Sequence, residues 1–98
     1  MKGFIKLHRQ IMEWEWYQDA NTKAVFIHLL LNACYDECRF MGQPVNRGQY
    51  MTSLARLSRD LNISVRQVRT AITRLEKTGE IDTLATNKST LVTILNSI

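Results

Sequence analysis

Between Ser53 and Gly79 the apolar positions fall at helical spacing twice, with a break between the two runs. Leu54, Leu57, Ser58 and Leu61 stand at i, i+3, i+4 and i+7, the buried stripe of a short helix with one small polar member. Ser53 is placed to cap it, because a serine hydroxyl accepts one of the unpaired N–H groups of a first turn. Asn62 suits the exit, since asparagine tolerates the left-handed conformation that ends a helix, and Ile63 plugs the corner. Ser64 restarts the chain as a second N-cap, and Gln67 three residues on completes a capping box. Val65, Val68, Ala71, Ile72 and Leu75 then share one face of a second helix that Gly79 ends. Helix, short turn, helix is the spacing of a DNA-binding helix-turn-helix.

The same pattern, followed along the chain, predicts the remaining elements. Ile5 to Tyr17 approximates a first helix, with Ile5, His8, Ile11 and Met12 on its stripe and Trp14 and Trp16 near its end. Two readings of the tryptophans stand side by side: anchors that fix this helix to the core, or a protein–protein surface. A loop from Gln18 ends in an N-cap, Asn21 or Thr22. Lys23 to Tyr35 is apolar nearly all round and too short to span a bilayer, which makes it the central core helix. Asp36 to Gly48 reads as a connection, and Pro44 argues against a central strand there. Gln49 to Thr52 reads as a short strand leading into the Ser53 cap. Glu80–Thr86 and Thr90–Leu95 are rich in β-branched residues and flank the turn residues Asn87, Lys88 and Ser89, so they form a β-hairpin, a wing directly after a recognition helix. The predicted fold is mainly α with a small antiparallel β-sheet: a winged helix-turn-helix with an extra N-terminal helix.

Composition narrows the class. With 98 residues, of which 45% are hydrophobic, the chain makes one domain, residues 1–98. It has no apolar run of membrane-spanning length, and its start lacks the apolar core of a signal peptide, so a cytoplasmic location is expected. Cys34 and Cys38 are then expected to stay reduced and structural, because two thiols without further clustered ligands make a weak zinc site. The net charge of +4 lies entirely within residues 53–79, where Arg56, Arg59, Arg66, Arg69, Arg74 and Lys77 face only Asp60 and Glu76; elsewhere basic and acidic residues balance. Such a concentration is the electrostatic footprint of phosphate binding.

A helix advances about 100° per residue, which sets Arg66, Thr70, Thr73, Arg74 and Lys77 opposite the apolar face, with Gln67 and Arg69 flanking. A recognition helix offers its N-terminal residues to base edges. Arg66 is matched to guanine, Gln67 to adenine, and Thr70 to a base edge or a thymine methyl. Thr73, Arg74 and Lys77 fall where phosphates pass, Ser53 and Ser64 at helix N-termini that favour a phosphate, and Asn87 and Lys88 at the wing tip, within reach of the flanking backbone or minor groove. Nothing points to an enzyme: the chain has no glycine-rich phosphate loop and no nucleophile–base set, and its two histidines, His8 and His28, are explained by packing. No cofactor or metal is expected. Beside DNA binding stands one bland alternative, a winged helix used only for protein–protein assembly.

Several stretches together resemble a known family. They are K-G-F-I-K-L-H-R-Q-I-M-E-W-E-W-Y-Q-D-A-N-T, the core run F-I-H-L-L-L-N-A, R-G-Q-Y-M-T-S-L, N-I-S-V-R-Q-V-R-T-A at Asn62–Ala71, L-E-K-T-G-E-I and T-N-K-S-T-L-V-T-I. In combination they resemble the N-terminal domain of phage and prophage replisome organisers, replication-initiation proteins similar to DnaD, over nearly the whole chain. The resemblance implies a winged-helix domain that binds double-stranded DNA at a phage-type origin and forms the N-terminal part of a longer protein. In relatives a C-terminal region helps load the replicative helicase; no residues here correspond to it, so the helicase or its loader is a partner by resemblance only. The resemblance also implies self-association, with Trp14 and Trp16 as the candidate surface. The Ser53–Gly79 pattern alone is also similar to GntR-type transcription regulators, whose wing tips usually carry a glycine that Thr86-Asn87-Lys88-Ser89 lacks.

Overall fold

The computed structural model describes residues 3–96. Its elements run α1 (Ala20–Asn32), β1 (Cys38–Phe40), β2 (Gln43–Val45), β3 (Gln49–Thr52), α2 (Leu54–Leu61), α3 (Val65–Lys77), β4 (Ile81–Ala85) and β5 (Thr90–Ile94). Three helices pack with two small antiparallel sheets, a β1–β2 hairpin and a three-stranded sheet in the order β3-β5-β4. Val92 at the centre of β5 pairs with Tyr50 on one side and Thr83 on the other.

The core forms where the apolar faces meet. Val25, Phe26 and Leu29 of α1, Leu57 of α2, Val68, Ala71, Ile72 and Leu75 of α3, Ile81 of β4 and Val92 of β5 make one buried cluster. The apolar face read from sequence for the second helix is therefore buried apart from its first member. Val65, the first residue of α3, remains 39% exposed. A smaller cluster of Cys34, Val45 and Met51 lies under β1 and β2.

The turn between α2 and α3 is built as its residues predict. Ser53 Oγ accepts from the Arg56 N–H at 3.1 Å. Asn62 closes α2 in the left-handed region, with φ 56° and ψ 45°. Ser58, the polar member of the leucine stripe, donates its hydroxyl to the Ile63 carbonyl and so ties the turn to the helix before it. Ser64 and Gln67 form the capping box in both directions. Gly79 follows α3 with φ +86°, where a side chain would be strained.

Four expectations are corrected. Residues 5–17 form no α-helix: only a 3-10 turn covers Arg9–Glu13, and the extra N-terminal helix of the expected fold is absent among the described residues. A short helix needs an apolar face to bury. Here Ile11 alone of the stripe is buried, while Phe4 is 85% and Met12 59% exposed. Second, α1 is capped by Asp19, whose carboxylate accepts from the Thr22 N–H, rather than by Asn21 or Thr22, and it stops at Asn32. It stops there because the next residues join the sheet, the Cys34 N–H donating to the Gln49 carbonyl at 2.7 Å. Third, the connection from Asp36 to Gly48 contains the β1–β2 hairpin, turned at Met41 and Gly42, both with positive φ. Pro44 is tolerated because a hairpin of two strands has no central strand. Fourth, Cys34 and Cys38 are joined in a disulfide. The end of α1 turns back into β1 and brings their Cα atoms to 6.0 Å, within bridging distance.

No described helix is long and apolar enough to cross a membrane.

Candidate nucleic-acid interface

The residues singled out on α3 come together on its outer face. Arg66, Arg69, Thr70, Thr73, Arg74 and Lys77 line one shallow, open concavity of about 470 Å³. All six are exposed. The opposite face supplies Val68, Ala71, Ile72 and Leu75 to the core, so the orientation of the basic face is fixed by burial rather than by its own contacts. Lys77 and Arg74 fall in the last turn, where cations are favoured by the helix dipole.

The other sequence candidates lie outside this concavity. Ser53 and Ser64 cap their helices, each accepting a backbone N–H through its hydroxyl oxygen. Gln67 is exposed, but its Oε1 accepts from the Ser64 N–H at 2.9 Å. The Thr70 hydroxyl donates back to the Arg66 carbonyl at 3.1 Å. Asn87 and Lys88 are exposed at the β4–β5 tip. The hairpin is fastened to α3 beneath them: the Glu80 N–H donates to the Leu75 carbonyl at 3.0 Å, and the Thr83 hydroxyl to the Glu76 carboxylate at 2.7 Å.

Arg74 differs from its neighbours. Its guanidinium pairs with the Asp19 carboxylate and lies 5.4 Å from the centre of the Trp16 ring. Burial would push the Asp19 carboxyl up, but the hydrogen bonds from Thr22 and the Arg74 charge outweigh it and hold the group below its ordinary 3.8. Trp16 in turn donates its indole N–H to the Thr78 hydroxyl at 2.9 Å. That hydroxyl donates to the carboxylate of Glu80, which is buried. The segment before α1 is thus clamped to the C-terminal end of α3. Sequence reasoning missed Asp19 and Trp16 as partners of Arg74, and only the correct start of α1 at Asp19 hints at that carboxylate.

Trp14 lies against Phe26 with ring centres 5.0 Å apart, and both tryptophans pack on the main core. Both remain half-buried, and the segment they hold against the core is not an α-helix. His28 sits between α1 and α2, its Nε2 3.4 Å from the Asp60 carboxylate, and packs edge-on against Tyr50. Among the described residues no group of three or more His, Cys, Asp or Glu side chains gathers where a metal could sit, and the disulfide occupies both thiols.

A second concavity of about 210 Å³ lies beside the β1–β2 hairpin, with Arg39, Tyr50, Met51 and Arg56 in its wall. Sequence reading gave no sign of it, because its wall is drawn from five separate elements, α1, β1, β2, β3 and α2.

No protein-family model, curated protein or solved structure matches the chain.

Proposed function

We propose that this chain is a winged-helix DNA-binding domain, in which α2 and α3 form the helix-turn-helix, α3 is the recognition helix and β4–β5 is the wing. The observation that carries this is the basic concavity on the outer face of α3, set opposite the only face the helix buries. It holds most of the charge that makes the chain net positive. A duplex presents regularly spaced phosphates to such a face, and neutralising them releases bound counterions. Arg66 and Thr70 lie towards the N-terminal end of α3, where base edges are met; Thr73 and Lys77 lie towards the end that passes the backbone. Asn87 and Lys88 are free of the core and in reach of flanking DNA in this docking.

The role is binding and nucleation of an assembly, not catalysis. Together with the family resemblance it supports a replication-initiation protein of the phage replisome-organiser, DnaD-like type, whose domain binds origin DNA and nucleates primosome assembly. Self-association and contact with the helicase or its loader belong to that proposal, resting on resemblance.

Fluorescence titration of labelled duplexes tests the DNA-binding part. The chain binds duplex DNA at low salt. Lys77→Ala weakens binding to every sequence and reduces the salt slope by about 1, while Arg66→Ala with Thr70→Ala lowers sequence preference by about 1–3 kcal/mol per lost base contact. A chain that fails to bind duplexes at low salt is an assembly module instead. Gene neighbourhood separates replication from transcription: a helicase-loader or single-strand-binding gene alongside favours the first.

A further inference from the structure

Arg66, Arg69, Arg74 and Lys77 are the cations of the α3 concavity. They are not equivalent. Among the described residues, Arg66, Arg69 and Lys77 form no ion pair, whereas the Arg74 guanidinium is paired with the second carboxylate oxygen of Asp19. Asp19 is held in place from its other side. Its first carboxylate oxygen accepts from the Thr22 N–H at 3.1 Å as the cap of α1, and α1 is fixed by Val25, Phe26 and Leu29, all fully buried. Arg74 is held as well, over the ring of Trp16, whose indole N–H is tied to Thr78. The edge of the basic face thus carries a stationary negative charge on one of its four cations. A phosphate approaching Arg74 meets a carboxylate of its own sign, already in contact with the guanidinium. Phosphate binding draws its salt dependence from mobile ions set free when cation and phosphate meet. The anion on Arg74 is part of the chain, so it is not set free.

Resting on the DNA-binding function above, we propose that Asp19 occupies the place a DNA phosphate would take on Arg74 and so sets the edge of the interface: Arg66, Arg69 and Lys77 meet the duplex, and Arg74 is withheld from it. Asp19 is then an affinity-limiting residue that touches no DNA. It lowers the number of phosphates the chain neutralises by one, and the same contact fastens the segment before α1 to α3.

The test is titration of a labelled duplex with the full chain and its variants at salt concentrations from about 50 to 200 mM. Asp19→Asn keeps a good N-cap and removes the competing charge. It is expected to bind more tightly at low salt and to steepen the salt slope by about 0.9, so that its advantage over the parent falls about threefold across that range. Removing a carboxylate also raises the net charge by one, and the double variant Asp19→Asn with Arg74→Gln separates the two effects. It has the net charge of the parent and no guanidinium at that place. It is expected to match the parent in affinity and in slope. Both side chains are partly exposed, so neither substitution opens the core, and thermal melts followed by circular dichroism check that the variants are folded. A double variant that binds more weakly than the parent, with a slope shallower by about 0.9, shows that Arg74 meets a phosphate in the parent and overturns the proposal. An Asp19→Asn chain with the slope of the parent overturns it too. A parent chain that binds no duplex at low salt overturns the DNA-binding function itself, and this proposal with it.

Discussion

Asp19 serves two elements at once. One oxygen of its carboxylate caps α1 and the other meets Arg74, 55 residues further on. Because its pKa is held below the ordinary value, the carboxylate adds stability that is fully present above the unfolded-state value and is lost as pH falls through the native one. Asp19→Asn retains a good N-cap and removes only the charge. The variant is expected to be less stable than the parent at neutral pH by less than about 1 kcal/mol, since Arg74 is 44% exposed and an exposed pair is screened by water. The difference shrinks below about pH 4 and disappears once the parent carboxyl is protonated. Urea titrations of both chains across that range check it, and a gap that stays constant would show that the charge is not responsible. At this scale the sequence is legible where partners are close. Ser64 and Gln67 announce their box because they are three residues apart. The partners of Arg74 do not announce themselves, because nothing local connects Arg74 to Asp19.

Elements are legible when they carry their own stop and start signals. The turn between α2 and α3 has a residue that accepts positive φ, a plug and a new cap in succession, and each does what its chemistry implies. Asn62 is the most exposed test of this. Replacing it with valine forces a β-branched residue into the left-handed region and is expected to cost about 1–2 kcal/mol, whereas Asn62→Gly is close to neutral. Chemical denaturation of the two variants gives the comparison; equal losses would mean that the asparagine side chain, not its backbone conformation, matters. The segment from Ile5 to Tyr17 shows the opposite case. Its periodicity is helical, yet periodicity describes a face and not whether another element covers it. With Ile5, His8 and Met12 exposed, the stripe gives the core only Ile11, and only a 3-10 turn forms. The β1–β2 hairpin was illegible for a related reason: three-residue strands are too short for alternation to show, and Pro44 argues against them locally.

For the whole molecule, one cluster connects α1, α2, α3, β4 and β5. Leu75 is fully buried within it, at the last turns of the helix that carries the basic face. Leu75→Ala is expected to cost about 2–5 kcal/mol, a large part of the 5–15 kcal/mol that holds a typical domain folded. Because Trp14 and Trp16 pack on the same cluster, tryptophan fluorescence and helical circular dichroism should report one shared, shifted transition in this variant. Fluorescence changing ahead of the helices would show that the segment before α1 is a separate unit.

By itself, the sequence determined the caps, the left-handed exit at Asn62, the apolar faces of α2 and α3, the β4–β5 hairpin and the gathering of net charge on one segment. All of these depend on residues within a turn or two of each other, and their physics is local. Only the tertiary structure decided the rest. It left Ile5, His8 and Met12 of the first predicted stripe exposed, drew Cys34 into the sheet and against Cys38, and turned Trp16 and Asp19 onto Arg74. Those outcomes depend on which surfaces meet, and not on the spacing of residues along the chain.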